Sequence, residues 1–201
     1  MKALAFAALL GATTLSMATP AMAADDGAAT TTIAQAAAAL APNRFVWADP
    51  QMMAVDPVQM PVTVVVSIPM QRAYVYRGDT MVAAASVSTG KDGKDTPVGI
   101  FPILQKREMH HSNLYDSAPM PFMQRLTWDG VALHAGKNPG FPDSHGCIRL
   151  PAAFAKKLFS ITSVGTNVVV TDQMVGDHFD PALLQTDAMQ ANQAQLASLD
   201  R

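Results

Sequence analysis

Three short runs between Val62 and Ser88 constrain this chain more than any other feature in it. Val62-Thr63-Val64-Val65-Val66-Ser67-Ile68 is almost wholly β-branched, a composition that crowds a helix but packs well on a pleated surface. Pro69-Met70 breaks it, and Gln71 to Arg77 follows with alternating character. Gly78-Asp79 is a turn signal and Met81 to Ser88 a third strand-like run, so the three together predict an antiparallel meander. Gly90 to Gly99, with three glycines and Pro97, reads as a loop. Phe101 to Lys106 is a further expected strand, confined by Pro102 to an edge or a bulge. Residues 107–121 lack a period and carry Pro119 and Pro121, the mark of a long lid or binding loop. Phe122 to Trp128, Val131 to His134 and Val168 to Val170 read as the remaining strands, and Pro151 suits the first turn of a helix over Ala152 to Ile161. The expected architecture is mostly β, with one helix in the domain.

The flanking segments differ in composition. Lys2, the apolar run Ala3 to Leu10 and the A-x-A pattern Ala21-Met22-Ala23 fit a cleaved export signal over residues 1–23. The apolar run is too short to span a bilayer, which takes about 20 residues, so no integral membrane segment is expected after cleavage. Residues 24–60, rich in Ala, Thr and Pro, read as a tether, 61–172 as one domain, and 173–201 as a tail. Within that tail, Leu183, Leu184, Met189, Leu196 and Leu199 suggest an amphipathic helix. Without Lys2, 13 basic and 16 acidic side chains leave a net charge of −3 with no basic patch, which argues against nucleic acid as a partner.

The chain has one cysteine, Cys147. Exported domains in an oxidising compartment pair their thiols or avoid them, so a single one is an intermolecular bridge, a buried passenger or a reactive group. Its neighbours favour reactivity: Ser144-His145-Gly146-Cys147-Ile148-Arg149, with His134 upstream at the end of an apolar strand. A free thiol titrates at about 8.5, and an adjacent imidazole that takes its proton yields a nucleophile able to attack an acyl carbon. Gly146 permits a sharp turn that aims backbone N–H groups at one point, as an oxyanion hole requires. Plainer readings stand beside this one: a small buried hydrophobe for Cys147, a structural hydrogen-bonded His134, a surface Arg149. Zinc at His134, His145 and Cys147 is disfavoured, because the usual CxxC or HxxxH pairing is missing.

The stretch from His134 to Pro151, HAGKNPGFPDSHGCIRLP, resembles the signature of the L,D-transpeptidase family with its YkuD-type catalytic domain. Val62 to Arg77, the block Val87-Ser88-Thr89-Gly90 with Thr96 to Phe101, and Met120-Pro121-Phe122 extend the likeness over roughly residues 61 to 172. The resemblance implies a YkuD-type mixed β-sandwich with a helix following the catalytic cysteine. It implies Cys147 as nucleophile, His134 as base oriented by the Ala135 carbonyl, and the backbone N–H groups around His145, Gly146 and Cys147 as the oxyanion hole. Ser144 and Arg149 would brace the loop or meet a substrate carboxylate, and Phe122 and Met123 would border the substrate. The activity implied is formation of 3→3 cross-links between peptidoglycan stem peptides in the periplasm, or attachment of an envelope protein, through a thioester and without metal or cofactor. The alternative is a cysteine-dependent L,D-carboxypeptidase or endopeptidase using the same residues. Only nine residues separate His134 from Ser144, a short loop expected to change the acyl-acceptor side.

Overall fold

The computed structural model of the chain describes residues 32–48, 60–113 and 117–175. The expected signal over 1–23, the greater part of the expected tether and the expected tail helix lie outside them. Among the described residues no helix is long and apolar enough to cross a membrane.

The elements in chain order are α1 (Ile33–Ala38), β1 (Phe45–Trp47), β2 (Val62–Ser67), β3 (Arg72–Arg77), β4 (Thr80–Ser86), β5 (Gly99–Pro102), β6 (Gln105–Arg107), β7 (Met123–Arg125), β8 (Ala132–Ala135), β9 (Ile148–Leu150), α2 (Ala152–Ile161) and β10 (Asn167–Thr171). They form a six-stranded sheet in the order β1-β4-β3-β2-β10-β5 and a four-stranded sheet in the order β6-β7-β8-β9. The β2-β3-β4 meander is antiparallel as expected. The unbroken β-branched character of β2 is explained by burial on both faces. Val62, Val64 and Val66 enter the main core with Phe154, Ala155 and Leu158 of α2, while Val65 joins Tyr74, Tyr76, Ala84 and Val169 on the opposite face. Fully burying one valine side chain contributes about 1.5–3 kcal/mol, so this sheet carries much of the stability.

Two findings extend or correct the sequence reading. Phe101 to Lys106 is not one strand. Pro102, which has no N–H to offer a ladder, ends β5 at the edge of the first sheet, and the chain crosses to the second sheet through the fully buried Ile103. There β6 begins, with the Leu104 N–H bonded to the Arg125 carbonyl at 2.8 Å. The described part of the expected tether is likewise built into the domain. β1 pairs with β4, and the Phe45 and Trp47 rings lie 5.8 and 5.1 Å from the ring of Phe154. Composition concealed this, because three large apolar residues sit in a segment dominated by Ala and Pro.

Both sheets contain a parallel pair. β10 lies parallel to β2 and between it and β5, so strands about a hundred residues apart become neighbours inside the first sheet. β9 lies parallel to β8 with His134 opposite Arg149. A parallel neighbour needs a crossover, and here the crossover is the loop that ends in Cys147. α2 covers Ala152–Ile161 as expected, and Lys106 Nζ donates to the Phe159 carbonyl at 2.6 Å and to that of Thr162, satisfying the helix C-terminus.

Candidate active site

The β8–β9 register decides which side chains meet. With Leu133 opposite Ile148 and His134 opposite Arg149, Cys147 arrives immediately before β9 at the end of β8 that precedes His134. His134, Ser144, His145, Cys147 and Arg149 all line one cleft of about 270 Å³, with Met120 and Gly130 on its other walls.

The loop before Cys147 is held by backbone pairing and a few hydroxyls. The Ser144 N–H donates to the Thr89 carbonyl at 3.0 Å, and the Lys91 N–H to the Ser144 carbonyl at 3.1 Å. Ser144 Oγ donates to the Cys147 carbonyl and accepts the Gly146 N–H at 3.1 Å. Gly146 sits at φ +112°, a conformation that side chains rarely adopt. The Gly146 carbonyl accepts from Thr96 Oγ1 at 2.9 Å, and that hydroxyl accepts the Gly90 N–H at 2.9 Å. The expected turn at Gly146 is therefore present. Its N–H is engaged by Ser144, so of the three amides expected for an oxyanion hole this one is already used inside the loop.

His134 is 7% exposed, and its Nδ1 lies 2.8 Å from the Ala135 carbonyl. A carbonyl only accepts, so Nδ1 carries the proton and Nε2 is the basic nitrogen of the neutral ring. The backbone thus orients this imidazole as a carboxylate would. Burial holds His134 below the ordinary histidine value. Its hydrogen bond to Ala135 opposes that shift, and Arg149 and His110 add to it. Burial likewise pushes the Cys147 thiol up, against a backbone hydrogen bond to Ala132 and the charges of Arg149 and Arg125. Cys147 Sγ donates to the Gly130 carbonyl at 3.4 Å. Both shifts disfavour charge, so the free site holds a neutral thiol and a neutral imidazole. His145, by contrast, is exposed on the cleft rim.

Arg149 pairs with Asp143 at 3.2 Å and contributes its backbone to a bridge with Ser88. Phe122 and Met123, expected beside the substrate, do not line this cleft. The Phe122 ring packs against Phe159 at 5.9 Å. Met123 is fully buried beside Met120, Ala132 and Cys147. Phe122 lies where the chain turns into β7 and packs on the main core, whereas Met123, though buried, also borders a neighbouring cavity. A second cavity of about 350 Å³, bordered by Met123, His110, Arg125 and Trp128, shares Ser112, Met120, Asp129 and Gly130 with the first. Among the described residues no three His, Cys, Asp or Glu side chains gather in a metal-binding group.

Sequence reasoning missed three supporting residues. Gln71 is buried at φ +49°. Its amide donates to Thr89 Oγ1 at 2.7 Å and accepts the Thr89 N–H at 3.0 Å, fixing the backbone that pairs with Ser144. Thr96 fixes Gly146. Asn138 donates to the Ser86 carbonyl at 2.7 Å and accepts the Gly140 N–H at 3.0 Å, bracing the loop after His134. All three lie inside the blocks that carry the family resemblance, Gln71 in Val62 to Arg77, Thr96 in Thr96 to Phe101 and Asn138 in His134 to Pro151, but no local pattern marks what each one holds.

Comparison with known proteins agrees with this geometry. The family model described as the L,D-transpeptidase catalytic domain, YkuD, matches residues 61–170. No curated protein matches the chain. Similar solved structures include an L,D-transpeptidase from Mycobacterium smegmatis, 25% identical with a TM-score of 0.53, covering 56% of this chain and 59% of that one. The L,D-transpeptidase LdtMt1 in complex with imipenem is 25% identical with a TM-score of 0.52 over the same shares of the two chains. An L,D-transpeptidase from Xylanimonas cellulosilytica is 25% identical with a TM-score of 0.51, covering 55% of this chain and 60% of that one. The chain therefore spans less than two thirds of the length of these relatives.

Proposed function

The chain belongs to the YkuD family of L,D-transpeptidase catalytic domains, and on that premise we propose that it joins peptidoglycan stem peptides by 3→3 cross-links through a thioester on Cys147. The observation that carries this reading is a buried, backbone-oriented His134 sharing one cleft with the chain's single thiol. As the stem peptide docks, the Cys147 proton passes to His134 Nε2 and the sulfur attacks the carbonyl of the diaminopimelate L-centre. The tetrahedral oxyanion is met by the Cys147 N–H at the turn. His134 returns the proton to the departing D-Ala amine, which leaves a thioester. The amine of a second stem then attacks that thioester, gives its proton to His134, and restores the thiol. General acid–base assistance of this kind contributes about 10²–10⁴ in rate.

The neutral resting pair fits this scheme. The sulfur becomes nucleophilic only with substrate in place, so water and stray oxidants meet a protonated thiol. Two cavities that meet beside Gly130, whose carbonyl holds the thiol, give donor and acceptor separate approaches. Ser144 supports the loop, and Arg149 receives a substrate carboxylate at the cleft wall. The signal expected over residues 1–23 delivers the enzyme to the periplasm, where an envelope protein is a second possible acceptor class.

Product analysis with purified tetrapeptide muropeptides tests the reading. Dimers linked 3→3 are expected; trimmed monomers alone would mean that water is the acceptor and the enzyme is a carboxypeptidase. By the same thioester chemistry, and because LdtMt1 was solved with imipenem, a carbapenem is expected to add one drug mass to the peptide containing Cys147.

A further inference from the structure

Residues 32–48 lie outside the segment that matches the family, yet they back onto the loop that joins His134 to Ser144. The Pro42 ring lies against Gly140, so closely that a Cβ on Gly140 would come within 2.6 Å of Pro42 Cγ. Two residues on, the Arg44 N–H donates to Ser86 Oγ at 3.2 Å and the Ser86 N–H to the Arg44 carbonyl at 2.9 Å. Ser86 is the same residue whose carbonyl and hydroxyl hold Asn138, the internal tie of the loop. At the other end of the segment, Arg72 donates to the carbonyls of Ala37 and Leu40, closing α1 from the start of β3.

We propose that residues 32–48 are a positioning element of the active site, holding the 136–143 loop in the shape that forms one wall of the cleft. The loop has no helix or strand of its own and contains Pro139, Gly140 and Pro142, so its course depends on what backs it. Gly136 and Lys137 at its start line the cleft. Pro42 limits how far Gly140 can retreat, and Ser86 ties Arg44 and Asn138 to one point. Phe45 and Trp47 anchor the segment on Phe154 of α2, the helix that follows the cysteine strand. The short loop is thus stiffened from behind by a segment that the matched domain does not include. This inference rests on the reading of Cys147 and His134 as the reacting pair.

The test uses the full chain with Pro42→Ala, which keeps the Phe45 and Trp47 anchors and so the fold. Amides of residues 137–143 are expected to exchange with solvent about tenfold faster, with β2 and β10 unchanged. KM for the stem peptide should rise about tenfold with kcat little altered, because a displaced wall weakens binding rather than chemistry. Alkylation of Cys147 by iodoacetamide should keep its wild-type rate. Gly140→Ala should damage the wild type more than the Pro42→Ala background, since the two positions share one contact. Unchanged loop exchange with unchanged KM would overturn the proposal, as would a fall in alkylation parallel to the loss of transfer. If the wild-type chain forms no product from stem peptides, the functional reading fails, and the exchange and coupling measurements decide the positioning role alone.

Discussion

The two sheets share one core but are made from different kinds of sequence. In the six-stranded sheet, β2, β3 and β10 are five or six residues long and almost completely buried, with valines facing both ways. In the four-stranded sheet the strands are three or four residues long and carry Gln124, Arg125, His134 and Arg149 among their apolar positions. The first sheet gains stability from area. Both sheets bury polar groups, Thr63, Ser67, Arg77, Ser86 and Thr171 in the first and Gln124 and His134 in the second. The shorter strands of the second leave it more dependent on individual hydrogen bonds, each worth about 0.5–1.5 kcal/mol net but about 1–3 kcal/mol when a buried partner is orphaned. The proposed reacting pair lies on the sheet with the shorter strands.

That contrast predicts opposite responses to substitution. Cys147→Ala should lower dimer formation by at least about a thousandfold while changing stability by less than about 1.5 kcal/mol; assays on muropeptides and thermal unfolding measure the two. A variant that still cross-links near the wild-type rate removes the mechanism. His134→Ala is expected to cost about 10²–10⁴ in kcat/KM, whereas His145→Ala, on the exposed rim, should cost far less. The pH profile has a definite sign. Burial holds His134 below its ordinary value of 6.5, so the imidazole remains a neutral base as pH falls through that value, and the acid limb of kcat/KM lies lower still. An acid limb above 6.5 would contradict the assignment.

Val64→Ala probes the first sheet. Val64 is fully buried in the main core, and its truncation should cost about 2 kcal/mol in denaturant unfolding with kcat/KM of the folded protein unchanged. A large kinetic effect would mean that the sheets are not separable. Thr96→Val bridges them. It removes the acceptor for Gly90 and the donor to Gly146, so about 1–3 kcal/mol of stability and a few-fold of kcat should fall together. Loss of only one of the two would show that Gly146 is held in place by other contacts.

What was legible in the sequence follows the same division. β-branched runs announce strands wherever both faces are buried, so the meander, β10 and α2 were readable from composition and spacing. The expected grouping of His134, Ser144, His145 and Cys147 is matched by the one cleft that all four line; their residue types and order are those that the proposed chemistry calls for. Gln71, Thr96 and Asn138 lie inside the resembling blocks, but nothing local shows what they hold; each acts on a residue distant in sequence, from Thr89 to Gly146 to Ser86. β1 was hidden for a related reason, since three apolar residues in an Ala-rich segment have meaning only once Ala83 to Ala85 of β4 and Phe154 are known to face them. Phe122 packs against Phe159 and borders neither cavity, while Met123 borders the second one; apolar residues beside a cleft read alike whether they face it or support it.

The claim that joins these observations is that Cys147 carries the acyl group. Intact-mass measurement of the enzyme after brief mixing with a tetrapeptide donor, without acceptor, tests it most directly. A mass increase equal to the donor less D-Ala is predicted, located by peptide mapping on Cys147, absent from Cys147→Ala and slowed in His134→Ala. An adduct on any other residue, or cross-linking that proceeds with Cys147 unmodified throughout, would contradict it.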